Sequence, residues 1–177
     1  MPSGKTHDAI TFLLAAPVFV VAYSLTRSGP IALAVAGAFL FGGLMFGPDL
    51  DTVSKQYSRW GILRPIWYPY KACFKHRSRW SHGLVFGTLF RVIYFLGIAT
   101  VLIFGAACAA SSLLGRELPD AFGFVREWRT IGDFIRSEFG RETLPAVFAG
   151  MWAGAASHTL TDIAGTFVKT GRVGEFL

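Results

Sequence analysis

The four histidines of this chain each lie within a few residues of an acid, a hydroxyl or another histidine. The residues that could carry chemistry are His7, Asp49, Asp51, His76, His82, His158 and Asp162. Imidazole and carboxylate side chains are the ligands that bind zinc, manganese and iron in proteins. The same groups can move protons, so this set predicts a metal site with acid–base residues beside it.

The sharpest signal is the pair His158 and Asp162, four residues apart in an apolar segment that runs from 144 to 168. Residues at i and i+4 share one face of a helix. An uncompensated Asp inside a membrane helix costs about 2.5–3.5 kcal/mol, and a divalent cation bound by both side chains would offset that cost. The alternative is that Asp162 pairs with Arg91 while His158 is a hydrogen-bonded core residue.

The segments that must position these residues are strongly apolar. Of the 177 residues, 53% are hydrophobic and 16% are charged, and the mean hydropathy is +0.47. This composition excludes a disordered chain and disfavours an ordinary soluble domain. Two cysteines exclude a disulfide framework. The apolar segments that could cross a membrane are 9–25, 31–46, 83–114 and 144–168.

The four apolar segments predict an all-α fold, an integral membrane four-helix bundle formed by one domain over residues 1–177. The first two segments, with 17 and 16 residues, are at the short end of the spanning range. The segment 115–143 adds apolar residues at helical spacing with charges between them, which is typical of an amphipathic helix on the membrane interface. A helix packed on the protein itself is the open alternative for this segment.

The distribution of Lys and Arg predicts the orientation in the membrane. Ten lie in the termini and in the segment 47–82, against six on the other side. This count places both termini and the segment 47–82 in the cytoplasm. All seven candidate residues then lie toward the cytoplasmic end of the bundle, which is the layout of a metal site between helix ends.

The segment 52–80 combines seven cations and seven aromatic residues with no acid. This composition suits contact with anionic lipid headgroups. Nucleic acid could use the same composition, but it is disfavoured as a partner beside so many apolar segments. Arg77 and Arg79 in this segment are candidates to hold a substrate phosphate, and a positive anchor at the cytoplasmic surface is their alternative role.

The order of the motifs resembles a bacterial family of predicted membrane metal-binding proteins. The matching motifs are MPSGKTHDAIT, GPDLD, YSRWGILRPIWYPY, HRSxxSHG and SHxxxD, and they cover most of the chain. More distantly, the chain is similar to membrane-bound metal-dependent hydrolases, which include the LexA-binding inner-membrane-associated hydrolases. Those resemble zinc phospholipase C in the order of their ligands. The resemblance to inner-membrane-associated hydrolases implies a location in the bacterial inner membrane.

The resemblance also implies a set of ligands, which are His7, Asp49 or Asp51, His82, His158 and Asp162. In that pattern Asp162 would bridge two metals. The chain lacks the later His and Glu that complete a third metal site in the soluble phospholipases, so a two-metal site is the most that the resemblance implies.

Two functional hypotheses follow from these residues. The first is a membrane-embedded metal-dependent hydrolase for a phosphoester or lipid substrate, with one or two divalent ions, zinc before manganese or iron. Its metal ligands would be His7, Asp49, His82, His158 and Asp162. Asp51 and His76 would assist catalysis, and Arg77 and Arg79 would hold the substrate. The second is a non-enzymatic protein that assembles with protein partners in a membrane complex and uses the metal only to hold helix ends together.

Overall fold

The computed structural model describes residues 3–74, 79–84 and 86–171, and every element within these ranges is helical. This confirms the all-α fold class for the described part of the chain. The longer helices are α1 (Gly4–Thr26), α2 (Gly29–Leu44), α6 (Phe86–Leu113), α7 (Ala121–Phe139) and α8 (Thr143–Thr170). Between α2 and α6 lie the 3₁₀ helices Pro48–Asp51 and Gly61–Trp67, and the short helices α3 (Lys55–Arg59), α4 (Tyr68–Cys73) and α5 (Arg79–His82).

The chain divides into two compact units, Met1–Arg91 with Pro145–Leu177 and Val92–Leu144. The first unit holds α1 to α5, the start of α6 and most of α8, and all the candidate metal ligands belong to it. The second unit holds the rest of α6 together with α7. That the whole chain forms one membrane domain stays a prediction.

Helices α1 and α2 form a hairpin in the first unit. Ser3 caps α1 by accepting the Thr6 amide, and Ser28 caps α2 by accepting the Ile31 amide. Arg27 closes the turn between them with a left-handed φ of 53°, and its amide donates to the carbonyl of Tyr23 at 2.8 Å. The hairpin brings the start of α1 and the end of α2 to the same end of the unit.

Helix α8 packs on α2 with the two backbones in contact. A Cβ on Gly154 would lie 2.0 Å from the carbonyl oxygen of Phe39, and one on Gly150 would lie 2.5 Å from that of Val35. Only glycine permits so close an approach. Because 35 pairs with 150 and 39 with 154, the two helices run in the same direction, and the later part of α8 lies beside the end of α2.

The basic segment 52–80 folds into short helices and contributes to the protein core, which the composition alone does not predict. Tyr57, Trp60, Trp67 and Tyr70 are buried, with Trp67 and Tyr70 fully so. The Trp60 and Trp67 rings meet edge to face at 5.1 Å, and the Trp60 indole N–H donates to the carbonyl of Met45 at 2.9 Å. These rings pack against Phe41 and Phe46 at the end of α2.

Two aromatic residues of the same segment, Tyr68 and Trp80, are exposed. They are available for the contact with lipid that the composition predicts, and that contact stays a prediction.

Helix α7 in the second unit begins at an Asp120 cap, whose carboxylate accepts the amides of Phe122 and Gly123. The helix lies wholly within the described residues, and none of its side chains is buried. Most of its apolar residues are exposed, including Phe122, Val125 and Phe134. The amphipathic helix expected from the sequence is therefore present, and its position on a membrane interface stays a prediction.

Among the described helices, α1 and α6 are long and apolar enough to cross a membrane. Helix α2 is apolar but has 16 residues. Helix α8 has 28 residues, and its polar stretch around Ser157, His158 and Asp162 makes it less apolar than α1 and α6. A membrane bundle of all four helices stays a prediction.

Candidate metal centre

The structure brings His7 of α1 together with His158 and Asp162 of α8. The Nε2 atom of His7 lies 3.1 Å from Oδ1 of Asp162, and the Nε2 atom of His158 lies 3.7 Å from Oδ2 of the same carboxylate. One ligand atom from each residue lies within 4.8 Å of the other two. All three side chains are buried. We call these three residues the His–Asp cluster.

The two imidazole rings of the cluster stack at 3.8 Å between centroids, with 11° between their planes. Gln56 of α3 holds the ring of His158 in place, since its Nε2 lies 3.1 Å from the Nδ1 of that ring. The same amide group donates to the carbonyl of Gly43 at 2.8 Å and accepts the amide of Asp49 at 3.2 Å. Gln56 therefore ties α8 to the end of α2 and to the turn that carries Asp49, and it orients a candidate ligand.

Asp49 adds a second carboxylate at the edge of the cluster. Its Oδ2 lies 3.3 Å from the Nε2 of His158, and 29% of its side chain is exposed. Asp49 belongs to the 3₁₀ helix Pro48–Asp51, and the hydroxyl of Ser54 donates to its carbonyl at 2.8 Å. Asp49 thus lies at the part-exposed side of the buried His–Asp cluster.

The residues present fit a divalent metal ion. The Nε2 of His158 is buried and faces two carboxylates, yet it makes no hydrogen bond to any described residue. Two carboxylates beside one imidazole nitrogen repel each other as anions, and the buried one, Asp162, also loses hydration. A divalent cation would relieve that repulsion, and this nitrogen and oxygen donor set suits zinc, manganese or iron.

A cavity of about 290 Å³ lies beside the cluster. The three cluster residues and Asp49 form part of its wall, and Asp8, Lys55 and Arg59 form another part. Arg59 donates from Nη2 to Oδ2 of Asp8 at 2.7 Å, and Lys55 contacts the same oxygen. The candidate ligands therefore face a polar cavity whose wall also carries the positive side chains of Lys55 and Arg59.

Comparison with known proteins supports a metal-binding role. Residues 2–172 match the family described as "Uncharacterized metal-binding protein (DUF2227)". The chain belongs to this family. A protein of Aquifex aeolicus (strain VF5), described as "Uncharacterized protein", is 31% identical over 137 residues, which cover 74% of this chain and 89% of the relative. No solved structure matches the chain significantly.

The DUF2227 family description agrees with the resemblance that the sequence motifs indicate, so membership of a metal-binding family is confirmed. The description names metal binding and no reaction. The similarity to metal-dependent hydrolases therefore stays a hypothesis for this DUF2227 member.

The side chain of Asp51, which the resemblance gives as the alternative ligand to Asp49, is not among those that line the cavity. Asp51 is buried and interacts electrostatically with Arg91, which is also buried. Arg91 donates to the carbonyl of Ser81 at 2.6 Å and to the hydroxyl of Thr88 at 3.1 Å. The alternative pairing of Arg91 with Asp162 is not observed among the described contacts, where Asp162 faces the two histidines instead.

Tyr70 lies in the same buried region as Arg91 and Asp51. Burial raises the pKa of the Tyr70 phenol above its usual value, and the nearby Arg91 guanidinium opposes that rise. Tyr70 is therefore a neutral partner for the buried charges at neutral pH.

Four of the predicted site residues lie wholly or partly outside the described structure. His76 and Arg77 are outside the described residues, and Arg79 and His82 lie in α5 but their side chains are not described. The roles of His82 as a ligand, of His76 in catalysis and of the two arginines in substrate binding stay predictions.

Gln56, Lys55, Arg59 and Asp8 were not predicted as site residues. The available signals were the i, i+4 spacing of Lys55 and Arg59 and the position of Asp8 directly after His7. The basic composition of the segment 52–80 gave no reason to single out Lys55 and Arg59, because such a composition is equally typical of a surface that faces lipid.

Proposed function

We propose that this protein is a membrane-bound metal-dependent hydrolase with a phosphoester or lipid substrate. The observation that carries the proposal is the openness of the site. The His–Asp cluster is buried, while Asp49 is part-exposed and the cluster forms one wall of a cavity. A structural metal is normally enclosed by its ligands, whereas a catalytic metal keeps an open position for water and substrate.

The chain's own residues have distinct roles in this proposal. His7, His158 and Asp162 would hold one or two divalent ions, zinc before manganese or iron, with Asp49 at the open side and His82 as a further ligand. Bound there, the metal would activate water and stabilise the oxyanion charge that develops on the substrate. Gln56 keeps the ring of His158 oriented. His76, Arg77 and Arg79 retain their proposed supporting roles, whereas Asp51, which does not line the cavity, could act only through its neighbours.

We further propose that the protein lies in the bacterial inner membrane with its termini and metal site on the cytoplasmic side. Helix α1 is long and apolar enough to span the bilayer, and it exposes Leu13, Val20 and Leu25. Exposed aliphatic side chains of this size suit contact with acyl chains. Membrane lipid is then the nearest partner of the protein.

Cysteine labelling tests this orientation. In a background where Cys73 and Cys108 are replaced by serine, Val53→Cys and Leu118→Cys both introduce thiols at exposed positions. A membrane-impermeant maleimide applied to intact spheroplasts should label Leu118→Cys and miss Val53→Cys. Both variants should be labelled after solubilisation in detergent, which is the control for accessibility. The reverse pattern in spheroplasts would contradict the proposed orientation.

A structural metal is the second candidate function, and one observation favours it. The candidate ligands join three separate elements, α1, α8 and the 3₁₀ helix Pro48–Asp51, and most of them are buried. A metal there would hold the helix ends together, and its binding energy would contribute to folding. In this reading the protein assembles with partners in a membrane complex and has no reaction of its own.

Metal removal separates the two functions. If the site is catalytic, a chelator should abolish hydrolysis of an aryl phosphodiester or a phospholipid, and added zinc should restore it. The circular dichroism spectrum should stay unchanged through the cycle, because the folded protein persists. Melting of the helices on chelation, with no hydrolysis of any phosphoester or lipid ester at the start, would support the structural metal and end the enzyme proposal.

A further inference from the structure

Two cations converge on one carboxylate in the wall of the cavity. Arg59 donates to Oδ2 of Asp8 at 2.7 Å, and the ammonium of Lys55 contacts the same oxygen. The side chains of Lys55 and Arg59 are 48% and 28% exposed, and that of Asp8 is 17% exposed. Lys55, Arg59 and Asp8 together carry a net charge of about +1. We call Lys55 and Arg59 the cation pair.

The short helix α3 fixes the geometry of the cation pair. Lys55 and Arg59 are four residues apart, so both side chains extend from the same face of the helix. The hydroxyl of Ser54 caps the helix by accepting the amide of Tyr57 at 3.1 Å. Arg59 also donates from Nη1 to the carbonyl of Leu44 at 2.6 Å, which anchors its guanidinium at the end of α2. The guanidinium is therefore held in place before any ligand binds.

The cation pair faces the same cavity as the candidate metal ligands. Asp8 follows His7 directly on α1, so the carboxylate that holds the cations lies one residue from the His–Asp cluster. The hydroxyl-bearing residues Thr52 and Ser54 also line the cavity. The candidate metal ligands, the cation pair and these two residues line one cavity, and with a metal bound this lining would suit a multiply charged oxyanion.

We propose that the cation pair binds the phosphate group of the substrate in this cavity, and that Asp8 occupies the place of a phosphate oxygen until the substrate arrives. The proposal rests on the proposed function, since it names the substrate group that the hydrolase would bind. Arginine and lysine make strong charge-assisted hydrogen bonds to phosphate oxygens. A phosphate offers several anionic oxygens where Asp8 offers one to both cations. The phosphate could belong to a free ion or to a lipid headgroup.

Calorimetric titration of the purified, metal-loaded full chain in detergent tests the cation pair. Inorganic phosphate is the probe in one arm and a short-chain phosphatidate in the other, with ionic strength held constant. Lys55→Gln and Arg59→Gln should each weaken binding by about tenfold or more, because each removes a hydrogen bond to a charged group. Binding of both probes indicates recognition of the phosphate itself, and binding of the phosphatidate alone indicates a headgroup; either supports the proposal.

Arg64→Gln is the matched control, because it removes the same charge from the same segment. Arg64 is exposed, donates to the carbonyl of Ser58 at 3.1 Å and does not line the cavity. It should change the affinity for either probe by no more than about twofold, the range of a screened surface charge. Lys55→Gln leaves the bond between Arg59 and Leu44 intact, so it remains a valid test if Arg59→Gln folds poorly.

Asp8→Asn gives the sharpest readout, because the proposal predicts a gain. Loss of the competing carboxylate charge should tighten phosphate binding by about threefold to tenfold. A purely structural ion pair predicts the opposite, since its loss would loosen the cavity. Unchanged or weaker binding in Asp8→Asn, or equal affinities in Lys55→Gln and Arg64→Gln, would overturn the proposal.

Metal content measured on the same samples separates this proposal from the proposed function. A wild-type protein that holds metal and hydrolyses a neutral lipid ester but does not bind either phosphate probe would overturn the phosphate site alone. A protein that binds phosphate through the cation pair but holds no divalent metal would overturn the hydrolase alone.

Discussion

Replacement of His158 and Asp162 together by alanine is expected to remove most of the divalent metal from the purified protein. The two residues supply two of the three ligand atoms in the His–Asp cluster, and they lie on one helix. Loss of residues that only orient ligands typically costs about 10–100-fold in metal affinity, and loss of two ligands should cost more. Elemental analysis by mass spectrometry should find one or two ions per chain in the wild type and nearly none in the variant.

The matched control replaces Leu160 and Thr161 by alanine in the same turn of α8. Leu160 is exposed, and neither residue belongs to the cluster. This control should keep its metal. A double variant of His158 and Asp162 that retained the full metal content would show that the metal lies elsewhere, and that the two side chains only stabilise each other.

Gly154→Ala is expected to destabilise the protein strongly through the contact between α2 and α8. The new methyl group would lie 2.0 Å from the carbonyl oxygen of Phe39 and 2.8 Å from the amide nitrogen of Gly43, and both are backbone atoms that cannot turn aside. Overpacking of this kind costs about 1–3 kcal/mol. For a chain of this size the melting temperature should fall by about 3–10 °C. Metal should also be lost, because His158 lies one turn further along α8.

Gly37→Ala on α2 is the control for this substitution. A Cβ at Gly37 meets nothing within 4 Å, so the change should leave the melting temperature equal to that of the wild type or slightly above it. Thermal melts followed by circular dichroism in one detergent compare the three proteins. Equal melting temperatures for Gly154→Ala and Gly37→Ala would contradict the close contact between α2 and α8.

The sequence contained enough information to bring the metal candidates together. Apolar runs predicted the helices, and the spacing of His158 and Asp162 predicted that they share one face. The hairpin of α1 and α2 then returned the chain so that His7 and Asp49 reach the same end of the unit. Each step used a regular period or a count of turns, which local sequence determines well.

The sequence favoured Asp49 over Asp51 as a ligand, but the different surroundings of the two residues could not be derived from it. The two residues are separated by one position in a 3₁₀ helix, where each residue turns the chain by about a third of a revolution. Asp49 contacts His158 and lines the cavity, whereas Asp51 is buried and does not line it. The orientation of the turn depends on the tertiary contacts of Gln56 and Ser54, which no local pattern reports.

The burial of the aromatic residues in 52–80 could not be predicted from the sequence either. Tyr and Trp are typical both of a membrane interface and of a protein core, since each has an apolar ring and one polar atom. Long-range contacts place these rings in the core, such as the hydrogen bond from the Trp60 indole to the carbonyl of Met45. Gln56 carries no charge and belongs to no motif, so only the folded structure shows that it holds His158.

Anomalous diffraction from crystals of the zinc-loaded protein, measured on both sides of the zinc absorption edge, tests the metal centre most directly. An anomalous peak is expected at about 2.0–2.1 Å from a nitrogen of His7 and of His158, and at a similar distance from an oxygen of Asp162. A second peak, if present, should share the Asp162 carboxylate. Zinc bound elsewhere on the chain, with the two histidines and Asp162 joined only to one another, would contradict the account.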